Sequence, residues 1–533
     1  VSGDYDADVI VIGGGIVGAF VAERIALRGK SVMILEAGPR TSRWKMLQAF
    51  RTGANKNDFN AFYPELPHAP KSSGGRYSDQ YIENVGPMKW LPSYIRLVGG
   101  TTWHWSAAFW RMLPNDFRMK SVYGVGRDWP LGYDELEPWY TLAEQLTGCA
   151  GSDEDDQSGQ GVGPFPPRSA PYPLPAEQWS DYTRAIAGAF SQIGFRFIDE
   201  PNLRATRPYD GRPACAGNNN CSPICPIGAM YSGDMAIDRA ERAGVKVVPD
   251  TVVHRLEKGA GGRIEAVHSM APDGTLGRRR ARAVVLAAHT IETPKLLLMS
   301  EAANRSDQVG RNLMTHPSLA FEGLARDELW PGQGPVQQGT ANELRDGAHR
   351  REHSAIRYFS NNRAPNAMVT RRLLQQGIIG RELDERIRHD SARYVNVLAG
   401  AENLPDPANR IDLGSRRDSL GLPTPRIHMD ISDYTRRAGP RVAADFAALD
   451  RALAMQERFG DRTTFRLPAH PMGSTIMGDD PATSVVDRDC RSHDHANLFI
   501  AGASVFASAS TVNPTLTAVA LGLRLGEMLA GEV

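Results

Sequence analysis

The feature that most constrains this chain is a glycine turn set between an apolar run and a helical stretch. Asp8-Val9-Ile10-Val11-Ile12 is short and apolar, the pattern of a parallel strand buried on both faces. Gly13-Gly14-Gly15-Ile16-Val17-Gly18 follows at once. Gly18, Val21, Ala22, Ile25 and Ala26 then recur at helical spacing, and Gly29 closes the helix. Ser31 to Leu35 reads as a second strand and ends in Glu36. Strand, glycine turn, helix, strand and acid, in this order and spacing, predict a dinucleotide-binding unit. In such a unit Gly13 makes the tight turn and Gly15 lets the backbone approach a pyrophosphate at the positive helix end. Gly18 lets the helix pack close on the strand, and Glu36 accepts ribose hydroxyls. The flanking elements give the motif its weight, because glycines at this spacing alone are weak evidence.

Later segments return to this unit. Val245 to Val248 and Thr251-Val252-Val253 read as strands, and Pro272-Asp273-Gly274-Thr275 as a hairpin turn. Ala283 to Ala288 is another buried run, and Thr293-Pro294 is expected to start a helix through Met299. Leu498 to Gly502 reads as a strand and Pro514 to Leu529 as a helix. Residues 40–90 read as irregular excursions, 152–175 as an acidic and proline-rich connecting loop, and 178–194 as one amphipathic helix. Arg96 to Ser106 holds Gly99-Gly100-Thr101-Thr102, small residues that suit close approach to a flat ligand, followed by Trp103-His104-Trp105. The segment 320–465 mixes strands with charged helices and carries no nucleotide signal.

With 533 residues the chain has room for two or three domains. Its formal net charge of zero gives no argument for a nucleic-acid partner, and no apolar run is long enough to cross a membrane. Five cysteines are too few for a disulfide scaffold. Cys149 and Cys490 stand alone and read as small buried apolar residues. Cys215, Cys221 and Cys225 fall in one turn-rich loop. Three chemistries fit that spacing: an iron–sulfur cluster, a disulfide with a spare thiol, or a zinc site completed by a distant histidine.

Several motifs then match one family in order. They are Gly13–Gly18 with Glu36, Gly99–Thr102, Thr293–Leu297, Val309-Gly310-Arg311-Asn312-Leu313 with His316-Pro317, His470-Pro471-Met472-Gly473-Ser474, and Asn497–Ser504 with Asn513-Pro514. The chain resembles a GMC (glucose–methanol–choline) oxidoreductase over nearly its whole length. Within that family it looks similar to the catalytic subunits of bacterial FAD-dependent glucose dehydrogenases that carry an iron–sulfur cluster, at Gly99–Trp105, Ser121–Pro130, Arg207–Pro213 and Cys215–Met230. Membrane-bound fructose and sorbitol dehydrogenases are near relatives.

The resemblance implies an α/β (α+β) fold: a discontinuous Rossmann-like FAD domain from 1–45, 90–140, 226–319 and 466–533, and a substrate domain with a mainly antiparallel sheet at 320–465. Residues 141–206 connect the two, and 207–230 form the iron–sulfur loop. It implies FAD contacts at Gly13, Gly15, Gly18, Glu36, Gly99, Gly100, Thr101, Thr102, His104, Val253, Ala503 and Asn513. His104 is expected either to bond covalently to the flavin or to pack against its edge. His470 is expected to take a hydroxyl proton as hydride leaves for flavin N5, with Asn513 holding the substrate oxygen; His289 and His316 are read as structural. Cys215, Cys221 and Cys225 are implied ligands of a three-iron, four-sulfide (3Fe-4S) cluster.

The expected substrate is a pyranose, glucose at C1 giving the lactone. Fructose, sorbitol, gluconate or a glycoside oxidised at C3 are alternatives, and a lyase with structural FAD is an alternative of another class. Electrons are expected to leave through the cluster to a multihaem cytochrome c subunit. A small helper subunit is expected, with a periplasmic location and membrane attachment only through a partner.

Overall fold

The computed structural model describes residues 5–53, 62–76, 78–155 and 165–533. The middle of the expected 152–175 loop, from Asp156 to Pro164, lies outside them. The predicted strand–helix–strand forms as Ala7–Ile12, Ile16–Ala26 and Val32–Leu35. Among the described residues its sheet has five strands, all parallel, in the spatial order Leu498–Ile500, Ala281–Leu286, Ala7–Ile12, Val32–Leu35, Lys246–Val248. Ile10 pairs with Val284 on one side and Met33 on the other, and Val9, Ile10 and Val11 are fully buried. A central strand covered on both faces has no polar side to present, which is why this run is apolar without alternation. The last helix, Thr515–Glu532, packs against the first. The hairpin forms as predicted between Ile264–Met270 and Leu276–Arg279.

A second, antiparallel sheet has, among the described residues, six strands in the order Glu457–Phe459, Ser318–Leu324, Tyr394–Ala401, Ile356–Ser360, Gly339–Ala341, Phe197–Asp199. Its residues alternate between two faces as strand geometry requires. Tyr358 and Val397 pack with Ile186, Phe190 and Phe446 in an apolar layer under the helices Asp181–Gln192 and Gly439–Ala452. Their neighbours Phe359 and Leu398 point the other way, into a cavity.

Three expectations need correction. Residues 40–90 are not wholly irregular: Arg43–Thr52 is a helix capped by Ser42, which accepts from the Lys45 N–H, and Glu83–Asn84 pairs with Pro423–His428. Within that helix only Met46 is buried, so there is no apolar stripe to see. The helix placed after Thr293 starts earlier, at His289, and Pro294 lies inside it. The proline removes one N–H, and Ser474 Oγ donates to the Thr290 carbonyl four residues back at 2.8 Å. Finally, Phe197–Asp199, expected in the connecting segment, is an edge strand of the antiparallel sheet. Its three residues are too few for alternation to register.

Candidate active site

A cavity of about 530 Å³ lies between the two sheets. The ends of the parallel strands supply Ile12, Leu35, Ala287 and Gly502, and the antiparallel sheet supplies Phe359 and Leu398. Of the expected cofactor contacts, Gly13, Gly15, Glu36, Gly100, Thr101, Thr102, His104, Val253, Ala503 and Asn513 line it; Gly18 and Gly99 do not.

At the end of the cavity floored by the glycine turn, Gly13 and Gly18 sit where a side chain would clash. Gly13 has φ 109°, and a Cβ there would lie 2.4 Å from the Ala287 carbonyl oxygen. A Cβ on Gly18 would lie 2.2 Å from the Gly13 oxygen and 3.3 Å from the Val11 side chain, so this glycine serves packing rather than ligand contact. Gly99 likewise braces the turn, its N–H donating to the Gly14 carbonyl at 2.8 Å. Glu36 is fixed by two backbone donors, Gly14 N–H at 2.7 Å and Gly38 N–H at 2.9 Å. Burial raises its pKa against these bonds.

Among the described residues several polar atoms on the wall lack hydrogen-bond partners, two of them on Arg96 and one on His104. Arg96 is buried, and its Nε and Nη2 have no hydrogen-bond partner. His104 Nε2 is buried without one either, and burial pushes that imidazole down to about 4. The free N–H groups of a guanidinium facing a cavity whose floor is a glycine turn fit a large anionic cofactor such as FAD. The two tryptophans beside His104 divide. Trp103 is buried against Tyr63 and Ile224 with its N–H on the Val98 carbonyl, whereas Trp105 lines the cavity.

At the other end His470 and Asn513 meet. Asn513 Nδ2 lies 3.0 Å from His470 Nε2. Burial, His316 and Arg357 together hold the His470 pKa well below that of a free imidazole, so the ring is neutral. His316, read from sequence as structural, is in contact with it: the two Nδ1 atoms are 3.0 Å apart. Arg357 Nη2 donates to Asn513 Oδ1 at 3.2 Å, and its Nη1 pairs with Glu200 at 3.3 Å. Gln337 and Asn361 add side-chain amides to the wall. None of Glu200, Gln337, Arg357 or Asn361 sits in a local motif, and only the pairing of distant strands brings them here.

The cysteine loop abuts this cavity. Ser222 lines it and donates to the backbone oxygens of His104 at 2.8 Å and Trp105 at 3.1 Å. Arg363 Nη1 donates to the Ser222 carbonyl at 3.1 Å, and Asn219 Nδ2 to Gly334 and Asn362. All five cysteines are free thiols; Cys149 and Cys490 are buried, as expected of small apolar residues. Burial pushes the Cys215 thiol up to about 11 and raises Cys221 too, with Cys215 feeling the charge of Cys221 and Cys221 that of Cys225. Among the described residues no group of three or more His, Cys, Asp or Glu is arranged to hold a metal ion.

The fold and this cavity suit an FAD-binding oxidoreductase, and the family matches make it one acting on CH–OH donors. Comparison with known proteins gives the family. GMC oxidoreductase models match residues 184–318 and 405–522, and an FAD dependent oxidoreductase model matches 8–200. The chain is 40% identical to the fructose dehydrogenase large subunit of Gluconobacter japonicus, over 99% of this chain and 98% of that one. It is 28% identical to the paromamine 6'-oxidase of Streptomyces fradiae, over 99% of this chain and 92% of that one. Among solved structures, a formate oxidase superposes with a TM-score of 0.67 at 16% identity, covering 99% of this chain and 98% of that one. The chain belongs to the GMC oxidoreductase family.

Proposed function

We propose that this chain is the flavin-bearing subunit of a sugar dehydrogenase and that its substrate is fructose rather than glucose. The observation that carries the reaction type is His470, held neutral beside Asn513 on the cavity wall. His470 Nε2 accepts the proton of the substrate hydroxyl, and Asn513 Nδ2 donates to the oxygen left behind. Gln337 and Asn361 offer further amide groups to a polyol. FAD, held by Gly13, Gly15, Glu36, Thr101, Thr102, His104, Val253 and Ala503, supplies the two-electron acceptor when bound. The substrate preference rests on the 40% identity to a fructose dehydrogenase large subunit across both full lengths, which favours fructose over the glucose expected from the motifs.

Cys215, Cys221 and Cys225 would hold an iron–sulfur cluster. What supports this is the chemistry of the set. The three thiols share one anchored loop beside the cavity, and Cys215 and Cys221, whose pKa burial raises, become thiolates when a metal displaces the proton. Each thiolate of a multi-iron cluster binds its own iron, so the three need not converge on one point. Such a cluster supplies a one-electron exit when bound. That relative is called a large subunit, which supports partner chains here. We take these, as the family resemblance implies, to be a small helper subunit and a multihaem cytochrome c subunit, with periplasmic placement through them.

The test is anaerobic titration of the flavin absorbance with fructose, glucose, sorbitol and gluconate, with EPR and iron analysis on the same samples. Fructose bleaching the flavin most efficiently supports the reading. Glucose alone doing so returns the first expectation, and bleaching by none favours the lyase. Iron-replete protein without a cluster signal removes the exit route. Denaturing the protein and asking whether flavin stays with the polypeptide decides the bond to His104.

A further inference from the structure

A hydrogen-bonded chain runs behind His470 from a group that can only accept to a group that can only donate. It reads Ala509 carbonyl, His316, His470, Asn513, Arg357. We infer that His316 on one side, and Arg357 acting through Asn513 on the other, fix His470 as the tautomer with its proton on Nδ1 and its lone pair on Nε2. The base is thereby set before any substrate arrives. This rests on His470 being the base.

The two ends reach the same answer independently. A carbonyl oxygen cannot donate, so His316 Nε2, 3.1 Å from the Ala509 oxygen, carries the proton. Buried His316 is neutral, pushed down to about 4, so its Nδ1 is bare and must accept from His470 Nδ1–H at 3.0 Å. From the other end, a guanidinium cannot accept, so Asn513 turns its oxygen to Arg357. Its amide N–H₂ then faces His470 Nε2 at 3.0 Å, which must accept. The opposite tautomer would set N–H against N–H at Asn513 and leave two bare nitrogens facing each other at His316. Glu200 anchors the donor end, accepting from Arg357 and, at 3.2 Å, from Trp110 Nε1. The charges near the pair are Arg357 beside both histidines and Glu402 toward His316. His316 and Arg357 are positioning residues, for neither lines the cavity.

The test uses the FAD-loaded protein labelled with ¹⁵N-histidine. In the wild type the His470 spectrum should show the Nδ1–H tautomer at neutral pH; an Nε2–H tautomer overturns the inference outright, whatever the variants do. His316→Leu removes the acceptor. The expected result is a mixture of tautomers and a kcat lower by about 10²-fold with KM little changed. His316→Asn, whose amide oxygen replaces Nδ1, should recover most of the rate. Unchanged kcat and tautomer in His316→Leu, or an Asn variant as impaired as the Leu variant at equal flavin content, overturns it. His470→Ala separates the two failures. A wild-type rate there overturns the base reading itself, whereas an inactive His470→Ala beside a normal His316→Leu overturns only the tautomer assignment.

Discussion

As the proposed base His470 works only while neutral, and its surroundings widen the pH range over which it is. Its pKa lies below the ordinary 6.5 because burial, His316 and Arg357 all disfavour the imidazolium. A base is active above its pKa, so lowering that pKa moves the acidic limb of activity downward. The expected outcome is a kcat/KM that stays level as pH falls from neutrality to 6.5 and drops only below it, read from a pH–rate profile. His470→Ala should lower kcat by about 10²- to 10⁴-fold while flavin content, read from the absorbance ratio, is kept. Gly13 belongs to the same scale. With φ 109° and the Ala287 oxygen 2.4 Å from a notional Cβ, Gly13→Ala should cost about 3 kcal/mol or more and leave the purified protein flavin-poor.

At the level of elements, what the sequence displays depends on whether neighbours in space are neighbours in the chain. Ala7–Ile12, Ile16–Ala26 and Val32–Leu35 were legible because strand, turn and helix each carry their own periodicity within thirty residues. Arg43–Thr52 was not, since a helix with one buried residue writes no stripe. Pro294 misled for a different reason: it commonly opens helices, and here a hydroxyl from Ser474, far along the chain, satisfies the carbonyl that it strands. Ser474→Ala should therefore cost about 1–3 kcal/mol, the penalty of an unsatisfied buried acceptor, seen as a lower Tm with the same flavin spectrum. The contact between the first and last helices makes a second prediction. A Cβ on Gly526 would lie 2.9 Å from both the Val21 oxygen and Arg24 Cβ, so Gly526→Val should force the helices apart at about 1–3 kcal/mol, measurable by thermal unfolding.

On the scale of the whole molecule the candidate site is a product of long-range closure. His470 and Asn513 could be named from local motifs, but His316 was set aside and Arg357 and Glu200 went unseen. Their roles exist only once Ile356–Ser360 pairs with Tyr394–Ala401 beside the C-terminal segment. Because the cavity is walled by both sheets, a ligand filling it ties them together. Removing FAD should lower the melting temperature, and added FAD should raise it in a concentration-dependent way, as mass action on the folded state demands. The parallel sheet carries a further consequence, in the time taken to make the protein. Its first strand is Ala7–Ile12, and its outer strand is Leu498–Ile500. At ~5–20 residues per second, roughly 25–100 s of synthesis separate the first helix from its last partner. Until Thr515–Glu532 emerges from the ribosome, Val17 and Val21 lack the surface that covers them, and the flavin cavity lacks Gly502, Ala503 and Asn513. Flavin loading therefore waits on the synthesis of Asn513, and a polypeptide arrested at Ala501 should keep the Ala7–Ile12 strand and the Ile16–Ala26 helix yet retain no flavin.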